Sequence, residues 1–266
     1  MGKDLRNIVE AIIRAGKRGK PVIFMCGAHV IKCGLNPVVI ELLKRRIISC
    51  LSLNGAGIIH DFEIASQGRT SEDGDASLNS GKFGMSRQTA QFLNQATVQG
   101  LDKGLGLGQA VGKAMRRHPL SYKNLSIIYQ ATRLRVPITV HIAIGTDVIH
   151  QHPNFNAGLV GEGSWRDFKI LVDVVSQLGE GGVLLNFGSA VILPEVFLKA
   201  LNLARNLGFK VKNFTTANFD MIYHYRPAEN IVRRPILSGG RGYYIVGHHE
   251  IMLPLLAQAI IDEVRK

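Results

Sequence analysis

Apolar runs of strand length alternate along the chain with longer segments of helical periodicity. Parallel strands joined by crossover helices produce this alternation, and near-continuous apolar strands indicate burial on both faces. We therefore predict an α/β fold of Rossmann-like type, with a mostly parallel sheet and helices on both faces. The predicted strands lie in PVIFMCGA (21–28), IISCLSLN (47–54), VPITVHIAIG (136–145), GGVLLNFG (181–188), KVKNFTTA (210–217) and YYIVG (243–247).

The first 20 residues differ from the rest of the chain. They read MGKDLRNIVEAIIRAGKRGK, which predicts one basic amphipathic helix outside the sheet, and residues 21–266 are predicted to form a single α/β domain. The segment lacks the apolar core and the cleavage site of a signal peptide, and the sequence has no apolar run of membrane-spanning length. We expect a cytoplasmic protein that does not enter the membrane.

The chain is strongly basic, with 32 Lys and Arg against 20 acidic residues and a formal charge of +12. The basic residues occur in small groups such as Arg116-Arg117, without aromatic interleaving, zinc-finger spacing or an RNA-binding signature. This pattern favours a solvated basic surface over nucleic acid binding. It leaves open that part of the charge serves the phosphates of a dinucleotide or an acidic partner.

Small turns are predicted after several strands, where open parallel sheets bind their ligands. They are Asn54-Gly55-Ala56-Gly57, Gly145-Thr146-Asp147, Gly188-Ser189-Ala190 and Thr215-Thr216-Ala217. Glycine lets backbone amides approach a phosphate, and a helix that begins there adds a favourable dipole. Any one such turn also suits packing alone, but four on one sheet edge together indicate a nucleotide site.

Two other segments contain many glycines. Residues 66–86 are rich in Gly, Ser and Asp and have hardly any apolar periodicity, so we predict a mobile loop that serves as a lid or as an arm between subunits. The segment GLGLGQAVG (104–112) contains GxGxG but follows no predicted strand, which makes it a poor dinucleotide fingerprint. We interpret it as a helix with close-packed glycines or as a loop.

The order of the motifs resembles the deoxyhypusine synthase family. The segment AHVIKCGLNPVVIELLKRRIISCLSLNGAGIIHDFE (28–63) is similar to that family's succession of polar turn, helix, strand, Gly-rich turn and acidic pair. VPITVHIAIGTD, GGVLLNFGSAVILPEVFLKAL, FTTANFD, RPAE and LPLL then follow in the family's order. The resemblance covers most of the chain at low identity. It implies NAD as cofactor, a small amine as substrate and a homotetramer with active sites between subunits.

The resemblance also implies site residues, taken over position by position. Residues 54–57 stand where the family has Thr-Ala-Gly-Gly, Asp61 or Glu63 where it has an acidic residue near the ribose, and Glu229 where it directs a carboxylate toward the polyamine. The implied cofactor-binding residues are Asn54, Gly55, Ala56, Gly57, Asp61, Glu63, Asp147, Gly188, Ser189, Thr216, Ala217 and Asp220.

One departure from the family changes the expected chemistry. The family's catalytic lysine follows the RPAE-like element, whereas this chain reads NIVRRP and has no lysine between Lys212 and Lys266. An enzyme imine needs a primary amine, and the guanidinium of Arg233 or Arg234 cannot replace it. The leading hypothesis is therefore NAD-dependent oxidation of, or transfer on, a small amine without the lysine-imine step.

Histidines near strand ends supply other candidates for catalysis. We predict His60 and His248, with Glu229, as catalytic residues, because a neutral imidazole accepts a proton near neutral pH. No HExxH spacing is present in the sequence, and we assign no metal ligand. Two alternatives stay open: a non-catalytic nucleotide-binding homologue with a sensory or structural role, and a metal-assisted hydrolase that uses His and Asp.

Overall fold

A sheet of six parallel strands forms the centre of the protein, whose computed structural model describes residues 2–70, 74–79, 81 and 83–265. The strands lie in the order β3-β2-β1-β4-β5-β6, the arrangement of the Rossmann fold. The prediction of a Rossmann-like α/β fold is confirmed. The strands are β1 Val22–Cys26, β2 Cys50–Asn54, β3 Ile138–His141, β4 Val183–Phe187, β5 Phe214–Asp220 and β6 Gly240–Val246.

Helices connect consecutive strands and precede and follow the sheet in the chain. The longest is α9, which crosses from β3 to β4. The α-helices are α1 Gly2–Lys17, α2 Ala28–Lys32, α3 Asn36–Lys44, α4 Gly55–Gln67, α5 Gly74–Asn79, α6 Arg87–Leu101, α7 Leu107–Arg117, α8 Ile127–Leu134, α9 Ala157–Ser176, α10 Ile192–Asn206, α11 Tyr225–Pro227 and α12 His249–Arg265. Short 3₁₀ turns lie at Lys123–Leu125, Val148–Gln151 and Pro235–Ser238, and a π-helical turn at Ala228–Arg233.

Each face of the sheet carries its own apolar core. Successive strand residues point to opposite faces, so Phe24 of β1 packs in one core and Met25 in the other. The first core includes side chains from α1, α3, α4, α7, α8 and α12, and the second includes side chains from α9 and α10. Burial on both faces explains why the strands read as continuous apolar runs.

The N-terminal helix observed at Gly2–Lys17 belongs to the first of these cores. Its apolar stripe, which includes Ile8, Ile12 and Ala15, is buried there. The opposite side carries the charged residues that make this segment basic. The division of the chain into this helix and a domain at 21–266 stays a prediction.

The structure changes the prediction for residues 66–86. Helix α4 continues through Gln67 and is capped by Gly68, and residues 74–79 form α5, so the start and the middle of the predicted loop are helical. Residues 71–73, 80 and 82 of this segment lie outside the described residues. The role as a lid or as an arm between subunits stays a prediction.

The glycines of GLGLGQAVG pack closely in a helix, which is the first of the two interpretations. Gly106 precedes α7, and a β-carbon at Gly108 would lie 2.4 Å from the carbonyl oxygen of Ile138 in β3. Buried Asp167 of α9 stabilises the contact between α7 and β3, because it accepts hydrogen bonds from the amides of Gly108 (2.9 Å) and Val140 (2.8 Å). The segment therefore joins α7 to the sheet.

The turn predicted at Thr215-Thr216-Ala217 is wrong. These residues lie inside β5, where they pair with β4 on one side and β6 on the other. The strand continues to Asp220 because Phe219 extends the apolar pattern into the first core. Thr216 and Ala217 are fully buried, so they present no free amide to a ligand.

Candidate functional site

A crevice forms where β1 and β4 lie side by side, because the chain leaves these two strands toward opposite sides of the sheet. The turns that follow them touch: a β-carbon at Gly27 would lie 2.3 Å from the carbonyl oxygen of Gly188. Gly188 also has a φ of +64°, a conformation that favours glycine. Two glycines thus keep side chains out of the point where an α/β sheet of this order binds its ligand.

A cavity of about 320 Å³ lies beside this crevice, at the ends of β2 and β3. Four of the predicted site residues, Ala56, His60, Glu63 and Asp147, line it together. The other lining residues are Lys32, Ile59, Phe83, Gly84, Ser86, Thr89, Thr146, Val148 and Ile149. The structure therefore brings side chains from α4 and from the segment after β3 into one polar pocket.

Two buried carboxylates, one imidazole and the exposed ammonium of Lys32 determine the charge of this cavity. His60 Nδ1 lies 2.9 Å from Glu63 Oε2, and the Glu63 side chain is only 4% exposed. Asp147 lies against the start of α4, since a β-carbon at Gly55 would lie 1.8 Å from its Oδ2. Burial raises the pKa of Asp147 to about 6, and the nearby His60 opposes this rise. The cavity favours hydroxyl or cationic groups over additional anions.

The raised pKa of Asp147 predicts a pH-dependent stability. Its folded pKa of about 6 lies above the unfolded value of about 3.9, so the folded state holds a proton that the unfolded state has released. This stabilisation is present below about pH 4 and is lost as the pH rises to about 6. From pH 4 to pH 7, the free energy of unfolding should fall by about 2 kcal/mol more in the wild type than in Asp147→Asn. Urea denaturation across this range measures the difference, and equal slopes would contradict the prediction.

The Asn54 turn is less open than the sequence predicts. The side chain of Asn54 accepts a hydrogen bond from the amide of Gly57 at 2.9 Å and so caps α4. The amide of Gly57 is therefore already used, and the Asp147 carboxylate lies over Gly55. Of this turn, Ala56 is the residue that lines the cavity.

The placement of Asp61 near a ribose is wrong. Its carboxylate is fully buried and points away from the cavity, toward the start of α8. It accepts hydrogen bonds from Ser126 Oγ, from the amides of Ile127 (2.9 Å) and Ile128 (3.2 Å), and from Asn36 Nδ2 (3.0 Å). Asp61 is a helix-capping residue, and Glu63 is the acidic residue of this pair that faces the cavity.

The remaining cofactor candidates lie at the ends of β4 and β5. Ser189 follows Gly188, and its hydroxyl accepts a hydrogen bond from the amide of Leu193 in α10 at 3.3 Å. Asp220 ends β5, and its Oδ2 lies 3.8 Å from Nε2 of His224. Both residues are on the same sheet edge as the crevice. Their contact with a cofactor stays a prediction.

The three predicted catalytic residues do not form one site. His60 follows β2 and His248 follows β6, four strand spacings or about 19 Å apart along the sheet. Glu229 lies between β5 and β6 in a turn that packs on the α9 and α10 face, where Nε and Nη2 of Arg233 donate hydrogen bonds to its two carboxylate oxygens. The prediction that these residues share a catalytic role is wrong. Each of them follows a strand, but the order of the strands in the sheet keeps them apart.

From the sequence, a catalytic role is assigned to His248 and none to its neighbour His249. It begins α12, is 1% exposed, and its ring contacts Gly188 at the crevice. The sequence shows the pair His248-His249, but only the packing of α12 shows which of the two side chains turns inward. His248 is exposed.

Neither a metal centre nor a membrane span emerges from the described part of the chain. Across residues 2–70, 74–79, 81 and 83–265, no three His, Cys, Asp or Glu side chains are grouped so that they could hold a metal ion. Within the same ranges, no helix has the length and apolar character required to cross a bilayer. The metal-assisted hydrolase therefore has no ligand set among these residues.

Comparison with solved structures shows the same fold in part of two larger proteins. ArgZ, an arginine dihydrolase from the ornithine-ammonia cycle in cyanobacteria, matches with a TM-score of 0.60 at 16% identity, over 98% of this chain and 31% of its own. AgrE in complex with ornithine and NAD⁺ matches with a TM-score of 0.59 at 16% identity, over 98% of this chain and 33% of its own. This chain thus spans about a third of the length of these two proteins.

A deoxyhypusine synthase-like fold is also among the neighbours. A candidate deoxyhypusine synthase from Entamoeba histolytica matches with a TM-score of 0.52 at 10% identity, over 91% of this chain and 76% of its own. No protein-family model and no curated protein matches the sequence. At these identities the likeness shows a shared fold, and the reaction has to be argued from the site.

Proposed function

We propose that this protein binds NAD along the carboxyl edge of its sheet and uses it to oxidise a small amine. The observation that carries the proposal is the cavity that Ala56, His60, Glu63 and Asp147 line together, beside the glycine crevice at β1 and β4. The distance from the end of β2 to the end of β5 is about 14 Å, which is comparable to the length of a dinucleotide. AgrE, a third of which has the same fold, was crystallised with NAD⁺.

The carboxylates favour NAD over NADP. In Rossmann sites an acidic side chain accepts hydrogen bonds from the ribose hydroxyls, whereas a 2′-phosphate needs a cation. Glu63 and Asp147 both line the cavity, and both side chains are more than nine-tenths buried. A phosphate placed there would meet two buried negative charges against a single cation, the exposed Lys32.

The end of this sheet edge at β5 fits an amine as substrate. Asp220 ends β5, two strands from β1, and gives a negative charge on which an ammonium group can bind. AgrE was crystallised with ornithine, so L-ornithine is the first amine to test. The lysine-imine route is not proposed, since the chain has no lysine from 213 to 265 and Glu229 is held by Arg233 and Arg234.

Calorimetric titration with NAD⁺ and NADP⁺ checks the proposal. We expect NAD⁺ to bind with an affinity at least about 10-fold higher than that of NADP⁺, and Glu63→Gln to weaken NAD⁺ binding about 10-fold, because a charged hydrogen bond contributes about 1.5 to 3 kcal/mol. Glu41→Gln is the matched control, since Glu41 lies on α3 and pairs with Arg45. Its affinity should not change. Equal binding of both nucleotides, or an unaffected Glu63→Gln, would contradict the proposed site.

A second function, NAD binding without turnover, is favoured by the separation of the predicted catalytic residues. Residues after β2 and after β6 cannot act on one bond of a small substrate. A sensory or structural homologue would bind NAD⁺ but form no NADH with any amine. The homo-oligomer, up to a tetramer, and the cytoplasmic location stay predictions that the resemblance and the sequence suggest.

A further inference from the structure

His249 occupies the floor of the crevice between β1 and β4. A β-carbon at Gly188 would lie 2.7 Å from its Nε2, so the imidazole touches the backbone of the β4 turn. The residue is 1% exposed, and within the described residues its Nδ1 is buried without a hydrogen-bond partner. Buried polar atoms are normally paired, so Nδ1 leaves the ring with an unused nitrogen, and the other nitrogen, Nε2, is the one that lies beside Gly188 at the crevice.

The surroundings keep this imidazole neutral and connect it to the surface. Burial lowers the pKa of His249, and His29 and His248 act in the same direction, while Asp220 and Glu250 oppose them. The ring of His29, at the start of α2, lies edge-on with its centroid 6.3 Å from that of His249. His29 is exposed, so the two rings lead from the crevice to solvent.

We propose that His249 is the general base of the proposed amine oxidation and that His29 passes its proton to solvent. The inference rests on the proposed function. The buried imidazole takes a proton from the substrate ammonium, which leaves a neutral amine with a lone pair. The carbon–hydrogen bond then breaks, its electron pair leaves as hydride to NAD⁺, and the nitrogen lone pair forms the carbon–nitrogen double bond. The products are an iminium ion, NADH and one proton held by His249.

The geometry selects His249 over the other histidines. His248 is exposed, and His60 is paired with Glu63 beyond the end of β2, whereas Nε2 of His249 lies beside Gly188. A general base must lie within hydrogen-bond reach of the proton that it removes. His249 meets this condition for a substrate placed over Gly188, where a nicotinamide at the β1 and β4 crevice would also lie.

The test uses the full chain and compares His249→Gln with His118→Gln, an exposed histidine on the first-core side of the sheet. NAD⁺ affinity is measured by calorimetry, and NADH formation is followed from pH 5 to pH 10 with L-ornithine, L-lysine and putrescine. We expect His249→Gln to lower kcat about 100-fold and to lose the acidic limb of the pH profile, with NAD⁺ affinity unchanged. His118→Gln should behave as wild type.

A second variant keeps the test decisive if His249→Gln folds poorly. His29 is exposed, so His29→Gln should fold, lower kcat about 10-fold and recover activity when imidazole is added to the buffer. Wild-type rates in both variants would overturn the inference. NAD⁺ binding without NADH from any of the three amines would overturn it while leaving the NAD site intact, whereas no NAD⁺ binding would overturn the proposed function itself.

Discussion

Asp61→Ala is expected to lower the free energy of unfolding by about 3 to 5 kcal/mol. The carboxylate is fully buried and accepts four hydrogen bonds, which join α4 to α3 and to the first turn of α8. Removing it leaves those donors buried without an acceptor, and each such loss costs about 1 to 3 kcal/mol. Urea denaturation followed by far-UV circular dichroism measures the change.

Asp262→Ala is the control for this variant. Asp262 is exposed on α12 and accepts one hydrogen bond from Gln258, so its removal should change stability by less than about 0.5 kcal/mol. NAD⁺ affinity of the folded fraction should be unchanged in both variants. If Asp61→Ala keeps its stability but loses NAD⁺ binding, the carboxylate contacts the ribose, as the family resemblance implies for Asp61 or Glu63.

Gly27→Ala should destabilise the protein by about 3 kcal/mol and weaken NAD⁺ binding at least 10-fold. The new β-carbon would lie 2.3 Å from the carbonyl oxygen of Gly188, which belongs to the backbone and has little freedom to move. The turns after β1 and β4 must then separate, and this widens the crevice that the cofactor is proposed to use. Thermal unfolding and calorimetry on the same sample measure the two effects.

Gly16→Ala provides the matched control. Gly16 is an exposed residue of α1, and a β-carbon added there would meet no atom within 4 Å. Alanine should raise stability there by about 0.5 to 1 kcal/mol, because glycine is unfavourable inside a helix. An unchanged melting temperature in Gly27→Ala would mean that the two turns do not touch.

The sheet is predictable because β1 to β4 are buried on both faces and read as apolar runs. The edge strand β6 is more exposed, but its YYIV run still marks it, and the glycine turns mark the ends of β2 and β4. The prediction of a turn at Thr216 and Ala217 is wrong, because small side chains such as theirs occur in strands as well as in turns. The alternation in FTTANFD and its two threonines favour a strand, so that signal is present in the sequence.

The composition of the site is less predictable than the fold. Asp61 and Glu63 are two residues apart on α4, so they point in different directions, and only the position of α8 decides which one is buried as a cap. His60 and His248 both follow strands, but the distance between them depends on strand order. That order is a product of tertiary packing, which local patterns do not contain.

The strand order also has a consequence for synthesis on the ribosome. Val22 of β1 pairs with Val183 of β4, so the middle of the sheet closes only when most of the chain has emerged. β1, β2 and β3 can pair earlier, but one edge of β1 then stays open. Such an edge invites pairing with other chains, and distant contacts form slowly. Yield in cells should therefore depend on chaperones that shield β1 until β4 arrives.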